Sequence, residues 1–118
     1  PNPQLSQQIE KYKDYVILVE GKKDVSSLNS LGFQKIHAIH EPNIPLRKKL
    51  EDISNLISKK EKVCILTDLD KKGKQLYLLI KSELQNQKGI RLDSSLRSIL
   101  LKAHVSHIEG LHKFCKNI

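Results

Sequence analysis

The sequence is poor in the features that mark several common protein classes. Its two cysteines, Cys64 and Cys115, form no CxxC pair and stand apart from any Cys/His cluster, which argues against a structural zinc site. Two free thiols in a reducing compartment fit better than a disulfide framework. Cys64 lies in the apolar run Val63-Cys64-Ile65-Leu66 and reads as a small buried side chain. Aromatic residues make up only 4% of the chain, so Ile, Leu and Val must supply the packing. No apolar run reaches membrane-spanning length, and no signal-peptide pattern opens the chain. The first residue is Pro1 rather than Met, as in a trimmed or late start. A soluble, cytoplasmic protein with no membrane partner is expected. Internal repeats, Gly/Ser linkers, a dinucleotide-binding glycine fingerprint and a phosphate-binding P-loop are all missing.

What is present begins with size and charge. The 118 residues suit one compact domain and leave no room for a second. The formal charge is +8, carried by 18 lysines against 3 arginines. Lysine is a mobile point charge, so this balance favours diffuse attraction to phosphate over bidentate reading of bases. A lysine-rich surface can also merely solvate a protein, so the position of the lysines matters more than their number.

Short β-rich runs alternate with runs of helical period, the pattern of a mainly parallel sheet of about four strands with helices on both faces. Residues 1–14 read as an N-terminal extension and 15–118 as the domain. Tyr15 to Val19 is continuously apolar, as expected of a strand buried on both sides. Asp24 to Leu31 reads as a short helix stopped by Gly32. Lys35 to Ile39 is a second strand. A helix opens near Pro45, with Leu46, Leu50, Ile53, Leu56 and Ile57 in helical register. Val63 to Thr67 is a third strand, followed by a helix presenting Leu76, Leu79, Ile80 and Leu84. Asp93 caps a further helix through Leu96, Ile99 and Leu100. His104 to Ile108 reads as a last strand, and Gly110 to Lys116 as a terminal helix.

In open α/β sheets, ligands bind beyond the carboxyl ends of the strands. Two strands end in acids: the first in Glu20-Gly21-Lys22-Lys23-Asp24, the third in Asp68-Leu69-Asp70-Lys71-Lys72-Gly73-Lys74. If these strands are neighbours, Glu20, Asp68 and Asp70 converge, and three close carboxylates repel unless a cation sits among them. Oxygen ligands without imidazole or thiolate favour Mg²⁺ or Mn²⁺. Lys22, Lys23, Lys71, Lys72 and Lys74 surround the acids, an anionic centre in a cationic collar that suits a polyanion. His37 and His40, like His104 and His107, are three apart; on strands that spacing sends the pair to opposite faces, against a shared metal. Arg91 and Arg97 read as phosphate contacts or as solvated helix-flank residues.

Val16-Ile17-Leu18-Val19-Glu20-Gly21-Lys22-Lys23-Asp24 and Ile65-Leu66-Thr67-Asp68-Leu69-Asp70-Lys71-Lys72-Gly73 resemble the two signature segments of the Toprim superfamily. The superfamily includes bacterial-type primases, topoisomerases, recombination-repair proteins and the maturases of 5S ribosomal RNA. The chain is most similar to the small archaeal members, over nearly its whole length. The similarity extends to Gly89-Ile90-Arg91-Leu92-Asp93 with Arg97, and to Ile108-Glu109-Gly110-Leu111. It implies a Rossmann-like domain in which Glu20 is the acid/base carboxylate, and Glu20, Asp68 and Asp70 form a catalytic and metal-binding set. Gly21 and Gly73 let backbone approach that set. The implied function is metal-dependent phosphodiester chemistry on nucleic acid, RNA favoured over DNA, with a protein partner supplying specificity. Relatives carry Glu after the glycine matching Gly73, where this chain has Lys74. Topoisomerases carry a third Asp where it has Lys72. Fewer acids are thus left for a second ion, and the alternative is a non-catalytic nucleic-acid or ribonucleoprotein binding module that retains the metal site.

Overall fold

A computed structural model describes residues 2–87 and 89–115. Its elements alternate as the composition requires. Helix α1 (Pro3–Ile9) and a 3-10 turn (Glu10–Tyr12) precede strand β1 (Val16–Val19) and helix α2 (Lys22–Ser30). Strand β2 (Lys35–Ala38), helix α3 (Leu46–Ser54), strand β3 (Lys62–Ile65) and helix α4 (Lys71–Gln85) follow. Strand β4 (Arg91–Leu92), helix α5 (Ser95–Lys102), a 3-10 turn (Ile108–Gly110) and helix α6 (Leu111–Cys115) complete the described chain.

The four strands form one parallel sheet in the order β2-β1-β3-β4. The first strand is central because its four residues are apolar and all buried, which only a strand with neighbours and both faces covered can satisfy. Alternation along β1 divides the core in two. Ile17 and Val19 face a cluster with Leu28, Leu96, Leu100, Ile108 and Leu111, while Val16 and Leu18 face Leu50, Ile53, Ile80 and Leu84. Helices α2, α5 and α6 therefore cover one face, and α3 and α4 the other. Cys64 is fully buried in the first cluster, and burial pushes its thiol up to about 12.

Residues 1–14, read as an extension, pack into this core: Leu5, Ile9 and Tyr12 are buried in the first cluster. Asn2 caps α1 by accepting the Leu5 N–H at 3.1 Å, and its own N–H donates to the Phe114 carbonyl at 2.5 Å.

Three local expectations are corrected. The fourth strand is Arg91–Leu92, paired with Lys62 and Val63, and not His104 to Ile108. Helix α5 ends instead in a Schellman turn: His104 takes the left-handed conformation (φ 60°), and the N–H groups of His104 and Val105 donate to the carbonyls of Leu101 and Leu100. The chain after it runs as a loop beside the end of β3. Leu79, expected to face inward, is half-exposed, because α4 buries a narrower stripe through Ile80 and Leu84. Leu56 lies past the end of α3 and is exposed. Of the expected terminal helix, Leu111–Cys115 is helical and Lys116 lies outside the described residues.

Replacing Leu5 by Ala should lower stability by about 2–5 kcal/mol, as for other buried leucines, whereas Leu79→Ala should change it by less than about 0.5 kcal/mol. Chemical denaturation of both variants checks this. A Leu5→Ala variant as stable as wild type would detach residues 1–14 from the folded unit.

Candidate metal and nucleic-acid site

The adjacency on which the acidic crevice depends is present. Val16, Ile17 and Leu18 pair in parallel with Val63, Cys64 and Ile65, so both chains leave the sheet side by side. At that edge the Glu20 Oε2 accepts the Asp68 N–H at 2.8 Å. A carboxylate from one strand end thus holds the backbone of the other.

The turn from Thr67 to Gly73 is fixed from three sides. Asp70 caps α4, its Oδ1 accepting the Gly73 N–H at 2.8 Å. The Thr67 hydroxyl donates to the Gly73 carbonyl at 2.7 Å. A Cβ at residue 73 would stand 1.9 Å from the Asp68 carbonyl oxygen, so the first turn of α4 can lie on this backbone only with glycine there. Below, the buried Arg97 of α5 donates from Nη1 to the Thr67 carbonyl (2.7 Å) and hydroxyl (3.1 Å), and from Nη2 to the Asp68 carbonyl (3.0 Å). Its guanidinium also stacks 4.5 Å from the centre of the Tyr77 ring. Arg97 is thus a buried clamp and not a solvated or phosphate-contacting residue.

The loop after α5 closes the third side. The Leu69 N–H donates to the Ser106 carbonyl at 2.8 Å, and the Ile108 N–H to Asp68 Oδ1 at 2.9 Å. Between these anchors His107 sets its Nε2 3.5 Å from Asp70 Oδ2. Asp68, Asp70 and His107 each present one ligand atom, all within 4.8 Å of one another, a spacing that fits a single divalent cation. Glu20 stands beside this group, engaged with the Asp68 N–H, and is not among the three.

Glu20 and Asp68 open onto a pocket of about 570 Å³. Lys22, Lys23, Asp24 and Glu109 share it, and Ile39, Ile44, Leu46 and Leu76 give it an apolar side. Asp24 is buried, and its Oδ2 accepts the Gly21 N–H at 3.0 Å. Burial chiefly pushes its carboxyl above the usual range; the Gly21 N–H opposes that shift, and the charges of Asp68, Glu20 and Glu109 reinforce it. Nothing lies within 4 Å of where a Cβ of Gly21 would be, so the backbone is open to an incoming group. Lys71 and Lys72 are exposed on the first turn of α4. Lys74 instead lines a separate groove between α4 and α5, with Leu69, Tyr77, Leu78 and Leu101.

Sequence reasoning missed His107, Glu109, Asp24 and the clamp role of Arg97. His107 lies on the loop that replaces the expected last strand, which brings it to Asp68 and Asp70. Glu109 and Arg97 carried a signal, since both lie in segments of the family resemblance.

Asp24 provides a pH test. Its carboxyl holds a proton to higher pH in the folded chain than in the unfolded one, so the native state binds more protons between the ordinary value of 3.8 and the raised one. Stability therefore falls as pH rises through that window. Asp24→Asn keeps an acceptor for Gly21 and removes the charge. Without divalent cations it should be more stable than wild type at pH 7, the gap closing as pH falls through the window. Denaturation midpoints against pH read this directly; a gap that widens on acidification would contradict it.

Comparison with known proteins agrees with this geometry. The Toprim domain family matches residues 15–95, a span that includes Glu20, Asp68 and Asp70 and stops short of His107. A UPF0292 protein of Pyrococcus horikoshii is 30% identical over 109 residues, covering 88% of this chain and 78% of that protein. Another, from Thermococcus sibiricus, is 33% identical over 109 residues, covering 91% of this chain and 82% of its own. A solved structure of a protein from Aquifex aeolicus has a TM-score of 0.73 at 29% identity, over 90% of this chain and 94% of that one. With its signature acids meeting at the ends of adjacent parallel strands, this chain belongs to the Toprim family, beside the small UPF0292 proteins of archaea.

Proposed function

We propose that this protein is a divalent-metal-dependent enzyme acting on nucleic-acid phosphodiesters, an RNA-processing nuclease of the cytoplasm. Membership of the Toprim family supports association with nucleic acid and a divalent metal. The observation that supports the reading is the bond from the Asp68 N–H to Glu20, beside the group of Asp68, Asp70 and His107, with Glu20 and Asp68 lining a pocket that Lys22 and Lys23 share. The preference for RNA rests on the resemblance to ribosomal RNA maturases, and the compartment on the two free thiols.

Asp68 and Asp70 would hold the metal, each keeping one oxygen on a backbone N–H and leaving the other for the ion. A bound Mg²⁺ or Mn²⁺ supplies charge neutralisation and polarisation at the phosphate. Glu20 is the proton-transfer group, oriented by its bond to the Asp68 N–H. Lys22 and Lys23 draw the polyanion in, with Lys71 and Lys72 extending the cationic rim. The apolar side of the pocket suits the face of a nucleobase, and its volume falls in the range of small-molecule sites.

Purified protein incubated with structured RNAs and either metal should give cleavage that Glu20→Gln abolishes while binding persists. Intact RNA and DNA across a broad panel would instead favour the binding-module reading. That second reading is supported by Lys72 and Lys74, which stand where the resemblance to Toprim segments leads one to expect acids, and which leave fewer ligands for a second ion.

Replacing Lys22, Lys23, Lys71 and Lys72 together by Gln should weaken RNA binding and flatten its salt dependence. Each lost phosphate contact removes about 0.7–0.9 from the logarithmic slope. Titrations at several salt concentrations measure it, and an unchanged slope would move the binding face elsewhere.

A further inference from the structure

We propose that His107 is a third protein ligand of the Asp68/Asp70 metal site, and that it shifts the site's preference from Mg²⁺ to a first-row transition ion such as Mn²⁺. The inference rests on the reading of Asp68 and Asp70 as metal ligands and adds a residue outside the segment matched to the Toprim family.

The placement of His107 is determined by backbone. On its N-terminal side the Ser106 carbonyl accepts the Leu69 N–H; on its C-terminal side the Ile108 N–H donates to Asp68 Oδ1. These two bonds fasten the loop to Asp68 and to Leu69, the residue between the two acids. The imidazole follows: Nε2 is 3.5 Å from Asp70 Oδ2, and Nδ1 is 2.8 Å from the Ser106 hydroxyl. With the Nδ1 hydrogen donated to Ser106 Oγ, the Nε2 lone pair faces the carboxylates. This is the outer-shell arrangement that orients ligating histidines in metal sites.

The donor set then decides the ion. Two carboxylate oxygens alone suit a hard cation such as Mg²⁺. An imidazole nitrogen contributes little to Mg²⁺, which holds its waters firmly, and more to Mn²⁺ and the later divalent ions. His107 and Asp70 are both about half exposed, their side chains 53% and 43% accessible, so open positions remain for water or a phosphate oxygen. The ordinary alternative is a surface ion pair in which a cationic His107 merely offsets the charge of Asp70. The two predict opposite signs: removing a ligand weakens metal binding, whereas removing a competing cation strengthens it.

The test is calorimetric titration of the full chain with MnCl₂ and with MgCl₂, for wild type, His107→Ala, His107→Gln and Asp68→Asn/Asp70→Asn. Pulsed electron paramagnetic resonance of the Mn²⁺-loaded wild type accompanies it. Wild type should bind Mn²⁺ more tightly than Mg²⁺. Both His107 variants should lose at least about tenfold in Mn²⁺ affinity with little change for Mg²⁺, and the bound Mn²⁺ should show ¹⁴N coupling from imidazole. The resonance measurement needs no variant, so it stands even if a substitution disturbs the loop. Absence of ¹⁴N coupling, or Mn²⁺ affinity unchanged or increased in the His107 variants, overturns the inference. If binding is then still lost in Asp68→Asn/Asp70→Asn, the carboxylate site survives and only the role of His107 fails. Binding retained in that double variant overturns both.

Discussion

The structure turns on a buried cation. Arg97 reaches from α5 under the end of β3 and holds the carbonyls of Thr67 and Asp68 with one guanidinium fork, while its Cζ lies over the Tyr77 ring. Burying that charge is tolerable because its donors meet carbonyl and hydroxyl oxygens of a turn that leaves the sheet. The turn needs such a clamp. It directs acids to one side and starts a helix on the other, and its backbone touches Gly73 so closely that no other residue fits. With the carbonyls turned down toward Arg97, the Asp68 N–H is left for Glu20 and its carboxylate for the crevice. An isosteric apolar side chain could fill the space of Arg97 and still release the turn that positions the acids.

Above this clamp the charges are arranged against their own preference. Glu20, Asp24, Asp68 and Glu109 lie close enough for three of them to raise the proton affinity of the fourth. In a chain of net charge +8 such a concentration of acid is a local exception. Lys22 and Lys23 on the first turn of α2 share the pocket with these acids, and Lys71 and Lys72 are exposed on the first turn of α4. Stability alone gives no reason for this separation of sign, since interspersed charges would repel less. A cation in the centre and a polyanion at the rim remove both repulsions together.

Much of this was legible in the chain itself. Continuous apolar runs ending in acids identify β1, β3 and their common edge, because a strand covered on both faces has no room for polar residues until it leaves the sheet. The helix stop at Gly32 also follows from local backbone chemistry. The rest depends on tertiary context. A two-residue strand such as Arg91–Leu92 has no periodicity to read, and it exists because β3 offers an open edge. His104 to Ile108 has the composition of a strand, yet the Schellman turn at His104 diverts it into a loop. His107 is thereby carried to Asp70, a pairing that spacing along the chain cannot reveal. The division of labour among the lysines was likewise hidden, with Lys74 turned to a different groove.

The strand order has a consequence for self-association. Both margins of the sheet are short, β2 with four residues and β4 with two, and each begins with a base, Lys35 or Arg91. Lys35 is further held by Glu61 at 3.0 Å. Brief, charged margins make poor templates for a neighbouring chain's strand, which protects a parallel sheet from growing by edge addition. Large apolar side chains are exposed on the helices, at Leu78 and Leu79 of α4 and Leu101 of α5, and at Leu56 past the end of α3. Contacts made through the leucines of α4 and α5 would leave both strand margins unpaired.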